Sequence, residues 1–171
     1  MRTIYLLRHA KSSWKDQALA DFERPLNKRG RAAAKGVGRH IVNAGMIPAQ
    51  ILCSSAARTR ETLARIAKIL SAPVPTRYEK GIYLASANVL LRRLRRLDDS
   101  LGSVMLIGHN PGMEQLALLL TQDHDGADRN RMALKYPTGA LAMVETDVER
   151  WADLQPECGR LAAFVTPRDL E

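Results

Sequence analysis

The residues best suited to chemistry stand where apolar runs stop. Ile4-Tyr5-Leu6-Leu7 runs into Arg8-His9-Ala10-Lys11, and Val104-Met105-Leu106-Ile107 runs into Gly108-His109-Asn110-Pro111-Gly112. A third junction, Ile51-Leu52-Cys53-Ser54-Ser55, leads within three residues to Arg58. Short apolar runs of this kind, bounded by polar residues, read as buried strands. Ligand-binding groups of open α/β sheets gather beyond the C-terminal ends of such strands. An arginine there offers a planar fork of donors suited to a phosphoryl group. An imidazole offers a nucleophile or base that works near neutral pH. Arg8, His9, Arg58 and His109 brought to one pocket would fit an anionic, tetrahedral group. Gly108 permits close backbone approach, Pro111 suits a first helical turn, and Ser54 or Ser55 is expected to cap the helix that carries Arg58.

The elements that must position these groups alternate along the chain. A charged, irregular loop is expected from Lys11 to Asn27. A helix follows from Lys28 to Ala44, with Ala33, Val37, Ile41 and Ala44 on one face and Gly45 as its stop. Further helices are expected over 56–70, 86–98 and 111–121, and an extended piece around Pro75 to Tyr78. Strands are expected over 104–108, Ala140 to Glu145 and Leu161 to Thr166. Gln122 to Tyr136 is polar and charged and reads as a surface loop. Alternation of this kind predicts an α/β fold, a three-layer sandwich whose mainly parallel central sheet carries helices on both faces. At 171 residues the chain is expected to form a single domain over 1–171.

Four segments together resemble a known family. They are Leu7-Arg8-His9-Ala10-Lys11-Ser12-Ser13-Trp14, Arg24-Pro25-Leu26-Asn27-Lys28-Arg29-Gly30, Ser54-Ser55-Ala56-Ala57-Arg58-Thr59-Arg60-Glu61-Thr62 and Gly108-His109-Asn110-Pro111-Gly112. In this order they resemble the histidine phosphatase, or phosphoglycerate mutase-like, superfamily, and its small SixA-like phosphohistidine phosphatase branch in particular. The likeness runs from residue 4 to about residue 145. One departure is that the usual Arg-His-Gly triplet reads Arg8-His9-Ala10.

The resemblance implies a phosphohistidine intermediate on His9, later hydrolysed by water. Arg8 and Arg58 would clamp the equatorial oxygens, and His109, protonated in an anionic pocket, would donate a further hydrogen bond. In this branch the arginine before Pro-Leu, here Arg24, also reaches the phosphate. Larger relatives supply a general acid from the region after the third strand, which places Glu79 in that role by motif order. Lys11, Ser12 and Asn110 lie in loops after strands and are candidates for the pocket rim. His40 and His124 read as structural or solvent-exposed. With cations and imidazoles to neutralise one phosphoryl, and no ligand-spaced cluster of acids and histidines, no metal or other cofactor is expected.

Between Glu79 and Val104 there is room for one helix and its turns, so the large lid insertion of bigger relatives is not expected. An open pocket suits a phosphohistidine carried on a protein. The leading expectation is therefore a phosphatase acting on a phosphorylated protein, for instance a phosphohistidine carrier domain. The alternatives are a small-molecule or nucleotide phosphomonoesterase of the same fold, and an inactive phosphoprotein-binding module.

The net charge of +8 speaks only to non-specific attraction. Part of it sits in Leu90-Leu91-Arg92-Arg93-Leu94-Arg95-Arg96-Leu97, where leucines on one helical face leave the arginines on the other. Aromatic residues are 5% of the chain, few for a base-stacking platform, so nucleic acid is not the expected partner. No apolar run reaches membrane-spanning length, and Met1-Arg2-Thr3 passes directly into a strand. Cys53 lies within an apolar strand and reads as a buried thiol, which points to a reducing cytoplasm.

Overall fold

Six strands form one sheet in the computed structural model, which describes residues 1–124 and 126–171. They are β1 (Arg2–Arg8), β2 (Gln50–Ser54), β3 (Thr76–Glu79), β4 (Ser103–Gly108), β5 (Leu141–Thr146) and β6 (Gly159–Val165), ordered β3-β2-β4-β1-β5-β6 across the sheet. β3, β2, β4 and β1 run parallel, while β5 is antiparallel to β1 and β6 to β5. The helices are α1 (Lys28–Asn43), α2 (Ala57–Ala67), α3 (Ala87–Leu94), α4 (Gly112–Leu120) and α5 (Ala127–Leu134).

Alternation along the strands sorts the helices into two layers. Tyr5, Leu7, Ile51, Cys53, Met105 and Ile107 point to one side, where Val37 and Ile41 of α1 and Leu63 and Ile66 of α2 cover them. Their neighbours Ile4, Leu6, Leu52, Val104 and Leu106 point to the other side, against Leu90 and Leu94 of α3, Met113 and Leu116 of α4 and Met132 of α5. A strand buried on both faces must be apolar at consecutive positions, and β1 and β4 are. Each such side chain, fully removed from water, stabilises the fold by roughly 1.5–3 kcal/mol before the cost of ordering it.

The connection from β1 goes through α1 to β2, while the connection from β4 goes through α4 and α5 toward β5 on the far side of β1. Neighbouring strands thus send their chains in opposite directions, and a crevice opens beyond their C-terminal ends. Arg8 and His9 leave β1 there, and Gly108 and His109 leave β4, with Arg8 in register with Gly108. Between β3 and β4 stand only a short 3-10 turn, Lys80–Ile82, and α3. No large insertion covers the crevice.

Two expectations about the elements are corrected. The segment 122–136 is not a plain surface loop: α5 occupies Ala127–Leu134, Met132 is wholly buried, and the buried Tyr136 hydroxyl donates to the Leu6 carbonyl. Residue 125 of that segment lies outside the described residues. In α1 the buried small residues are Gly30, Ala34 and Gly38 beside Val37 and Ile41, so the inward stripe passes through Ala34 rather than Ala33 and ends before Ala44. Gly45 closes the helix at φ +66°, the left-handed conformation that glycine adopts without strain.

Candidate active site

His9 is 6% exposed and its tautomer is set by the backbone. Nδ1 lies 2.7 Å from the Ala10 carbonyl oxygen, which can only accept, so Nδ1 carries the hydrogen. Nε2 is left with its lone pair, and Arg58 Nε donates toward it at 3.3 Å. Burial, followed by the positive charge of Arg58, Arg8 and Arg24, outweighs the Ala10 hydrogen bond and holds the ring well below its ordinary value, at about 4. At neutral pH His9 is therefore an uncharged imidazole with an unprotonated Nε2, the form in which it is nucleophilic.

α2 and α1 hold the loop that carries it. Thr62 of α2 accepts from the Ala10 backbone N–H at 3.0 Å and donates to the Arg58 carbonyl at 2.7 Å, which ties the residue after His9 to the turn that bears Arg58. On α1, Gly30 presses against the Lys11 carbonyl so closely that a Cβ there would sit 2.0 Å from the oxygen. Asn27 caps α1 by accepting from Gly30, and its own N–H donates to the same Lys11 carbonyl.

Arg58 is 3% exposed, and its two terminal nitrogens reach the Asp21 carbonyl at 2.7 Å and carboxylate at 3.0 Å. Arg24, also buried, donates to Ser12 Oγ at 2.8 Å, to the Ser13 carbonyl at 3.1 Å and to the Asp21 carboxylate at 3.1 Å. Trp14 lies over its guanidinium at 3.5 Å. Arg8 donates from Nη1 to the Tyr136 carbonyl at 2.8 Å. Tyr83 completes the Asp21 cluster by donating to its carboxylate, and this hydrogen bond, with those of Arg58 and Arg24, lowers Asp21 to about 2.

His109 packs against His9 with ring centroids 5.3 Å apart, and Tyr83 stands edge-on to it at the same separation. Its Nε2 lies 2.7 Å from Ser54 Oγ. Burial, then the neighbouring His9, Arg58 and Arg8, lower it to about 3, against a small opposing pull from Asp21. Without an anion the arginines around His109 disfavour a further charge, so the protonated His109 that the resemblance implies belongs to a pocket that holds an anion.

Two buried atoms in this cluster, Arg8 Nε and His109 Nδ1, hydrogen-bond to nothing among the described residues. Buried polar atoms are rarely left so. Both belong to side chains close enough to act on the His9 ring, and a donor and a chargeable imidazole can accommodate an oxyanion.

Arg8, His9, Arg58 and His109 come together as their strand-end positions suggested, and Arg24 joins them from the loop. Other candidates sit elsewhere or are already engaged. Glu79 closes β3, and its carboxylate is engaged in a forked ion pair with Arg93 of α3, at 2.6 to 3.1 Å. Asn110 uses its amide to donate to the Tyr136 carbonyl and its oxygen to accept from the Glu114 N–H, which makes it a brace between β4 and α4. Ser12 is buried and supports Arg24, and Lys11 is exposed. Ser54 does not cap α2, whose N-cap is Ala56, but accepts from the Ala56 N–H at 3.3 Å and meets His109.

Asp21, Ser54, Tyr83, Thr62 and Trp14 are the parts that residue types and spacing left unassigned. For Asp21 one signal existed: an acid three residues before a buried arginine, entering a short helical turn, Asp21–Glu23.

Comparisons with known proteins agree with this geometry. Residues 4–82 match the model of the histidine phosphatase superfamily, branch 1. An uncharacterized protein of Mycobacterium tuberculosis is 34% identical over 165 residues, an alignment covering 95% of this chain and all of that one. Among solved structures, a candidate phosphohistidine phosphatase SixA from Agrobacterium tumefaciens is 31% identical with a TM-score of 0.79, covering 97% of this chain and 98% of that one. A further SixA candidate, from Nakamurella multipartitia, superimposes with a TM-score of 0.82 at 27% identity, covering 97% and 96%.

Proposed function

Because the chain belongs to the histidine phosphatase superfamily, and its activity is accordingly that of a phosphatase, we propose that it removes the phosphoryl group from phosphohistidine on a protein, through a phosphoenzyme on His9. The observation that carries the reading is the presentation of His9: Nδ1–H is tied to the Ala10 carbonyl at 2.7 Å, which leaves Nε2 unprotonated and accepting from Arg58 Nε at 3.3 Å.

In the first step the His9 Nε2 lone pair attacks phosphorus, a P–N bond forms, and the bond to the leaving imidazole breaks. That imidazole leaves as a neutral ring once it holds a proton, a less demanding departure than that of an alkoxide. In the second step water attacks the phosphorus on His9, orthophosphate leaves, and the Nε2 lone pair is restored. Arg8, Arg24 and Arg58 offset the charge on the non-bridging oxygens in both steps, the work that metal ions perform in other phosphoryl-transfer enzymes. Such a site supports turnover without a metal ion. His109 Nδ1, unpartnered and near the His9 ring, becomes a donor once the phosphoryl dianion offsets the charge around it. Asp21, at about 2, enters the cycle as an anion and so is not the proton donor in this state.

A protein-borne substrate is supported by the short β3–β4 connection, which sets no large insertion over the crevice. Metabolite sites bury most of their ligand, and an open crevice does not. The test compares kcat/KM for a phosphohistidine-bearing carrier protein, a phosphoserine peptide and a nucleotide, with a rapid quench in base to trap label on the enzyme. The carrier protein is expected to lead, and His9→Ala is expected to abolish both the label and turnover. A nucleotide leading by orders of magnitude would replace the substrate, and label surviving in His9→Ala would remove the nucleophile.

A further inference from the structure

A groove of about 900 Å³ lies beside His9 rather than over it. Its inner end is formed by Lys11, two residues after His9, and by Pro137 and Thr138, just before the Gly139 N–H that bonds the Arg8 and His9 carbonyls. From there it runs along α1 toward the 3-10 turn Pro167–Leu170. The phosphoryl site and the groove thus share one stretch of backbone.

The α1 wall shows why the surface is open. Ala32, Ala33 and Gly36 lie between Arg29 and Arg39 on the face turned away from the buried stripe. Ten residues of helix span roughly 15 Å, so the arginines frame a shallow floor of small residues. A Cβ built on Gly36 meets nothing within 4 Å.

Charge and apolar surface are both present. Lys11, Arg29, Arg39, Lys135 and Arg168 line the groove, all are exposed, and among the described residues none of them is in an ion pair. Arg131 also lines it and is already held by Asp128 and Asp169; Asp169 and Glu171 are the acids of the lining, so the cations outnumber them. Leu134 stands 87% exposed in the same wall, beside Pro137 and Pro167. Arginine clusters with interspersed apolar contacts recognise acidic peptide segments. A nucleic acid would want exposed aromatic rings to stack on, and the ring in this groove, Phe164, is buried.

We propose that this groove docks an acidic segment containing an apolar residue, carried by the phosphorylated protein substrate, and so sets that substrate beside His9. This rests on the proposed function only in taking the substrate to be a protein. Docking there would place free binding energy outside the reacting atoms and lower KM for the protein while leaving a small phosphate ester unaffected.

The test separates the two readings by measuring binding without turnover. The probe is a fluorescein-labelled, unphosphorylated twelve-residue peptide of glutamates and aspartates around a central leucine, titrated by anisotropy at low and moderate salt. Two groove variants are used: Arg39→Glu with Arg168→Glu, and Gly36→Glu, whose side chain enters open space on a helix that gains from losing a glycine. Arg92→Glu on α3 with Arg96→Glu just beyond its C-terminus reverses as much charge elsewhere. The groove variants are expected to weaken the peptide at least tenfold, the α3 pair no more than twofold, with 4-nitrophenyl phosphate turnover within twofold of wild type in all. On the carrier protein, the same variants should raise KM rather than lower kcat. Failure of the wild type to bind the peptide overturns the proposal, as does equal weakening by groove and α3 variants, or tighter binding of single-stranded DNA than of the peptide. Peptide binding that behaves as expected, with no hydrolysis of phosphohistidine protein, would retain the groove and overturn the substrate assignment instead.

Discussion

Arg58 and Asp21 are joined twice, guanidinium Nη1 to the Asp21 carbonyl at 2.7 Å and Nη2 to its carboxylate at 3.0 Å. The same carboxylate takes a hydrogen bond from Arg24 and another from Tyr83. In the ligand-free site an acid of the chain itself therefore occupies donors that a phosphoryl group would use. Two arginines are kept oriented, and an anion is kept close to where a dianion must arrive. Pre-orientation favours catalysis, since the donors need not reorganise. The nearby negative charge opposes tight retention of the product.

Asp21→Asn should separate these two effects. The amide keeps the shape and one acceptor but removes the charge. Inhibition by inorganic phosphate is expected to tighten about two- to fivefold, the scale of a partly exposed charge pair. kcat for a phosphohistidine protein should fall if phosphate release limits turnover. Phosphate inhibition unchanged or weakened in Asp21→Asn would show that Asp21 serves orientation alone.

Arg58 should contribute more to the transition state than to capture. It touches His9 Nε2 and sits 3% exposed, so its donors act where water is excluded. Arg58→Ala is expected to lower kcat by roughly a hundredfold or more, on the scale of losing an oxyanion donor. Arg58→Lys should recover only part, since an ammonium cannot give two parallel hydrogen bonds. A variant that changes KM alone would make Arg58 a uniform binding group.

The parts of this site that were legible in the sequence are those tied to strand ends. A buried strand must be apolar, so Arg8-His9 and Gly108-His109 stand out where the apolar run stops, and the parallel sheet then brings them to one edge. Asp21, Ser54 and Tyr83 lack that contrast. Asp21 lies in a charged loop among Lys15, Asp16 and Glu23, and only the fold of that loop over Arg58 gives it a role. Glu79 is placed by motif order alone, as a general acid; in the structure it ends the edge strand β3 and is paired with Arg93 of α3. α5 was hidden because Met132 is its single buried residue, and one apolar anchor makes no period.

Gly30 gives a test of how strictly the His9 loop is positioned. An alanine Cβ would sit 2.0 Å from the Lys11 carbonyl oxygen, and backbone cannot swing aside as a side chain can. Gly30→Ala should cost about 1–3 kcal/mol as overpacking, which is several degrees in Tm for a chain of this size. It should also lower kcat measured well below Tm. Gly36→Ala on the same helix meets nothing within 4 Å and should be neutral or stabilising by about 0.5–1 kcal/mol. Equal effects of the two changes would mean that the Lys11 contact does not constrain the loop.

The histidines make stability depend on pH in a definite direction. Folding lowers His9 from 6.5 to about 4 and His109 from 6.5 to about 3. Above pH 6.5 neither ring is protonated in the folded or the unfolded chain, and no linkage arises. Between 6.5 and about 4 the unfolded chain binds protons that the folded site refuses, so stability falls as pH falls. Below about 3 both states are protonated and the loss is complete. At about 1.4 kcal/mol per pH unit, His9 alone accounts for a loss on the order of 3 kcal/mol across its window. Urea midpoints should therefore drop steadily from pH 7 to pH 4.5, and His9→Asn should flatten part of that slope. Because a phosphate ester itself titrates near pH 6, activity is a poor readout of the nucleophile. Ring-nitrogen NMR of the ligand-free protein is direct: both rings should remain neutral at pH 5.5, with hydrogen on Nδ1 of His9. Saturating phosphate should raise the His109 pKa, since the bound dianion offsets the arginines around it. A His109 already charged at pH 6 without ligand, or one that phosphate leaves unmoved, would overturn this account of the pocket.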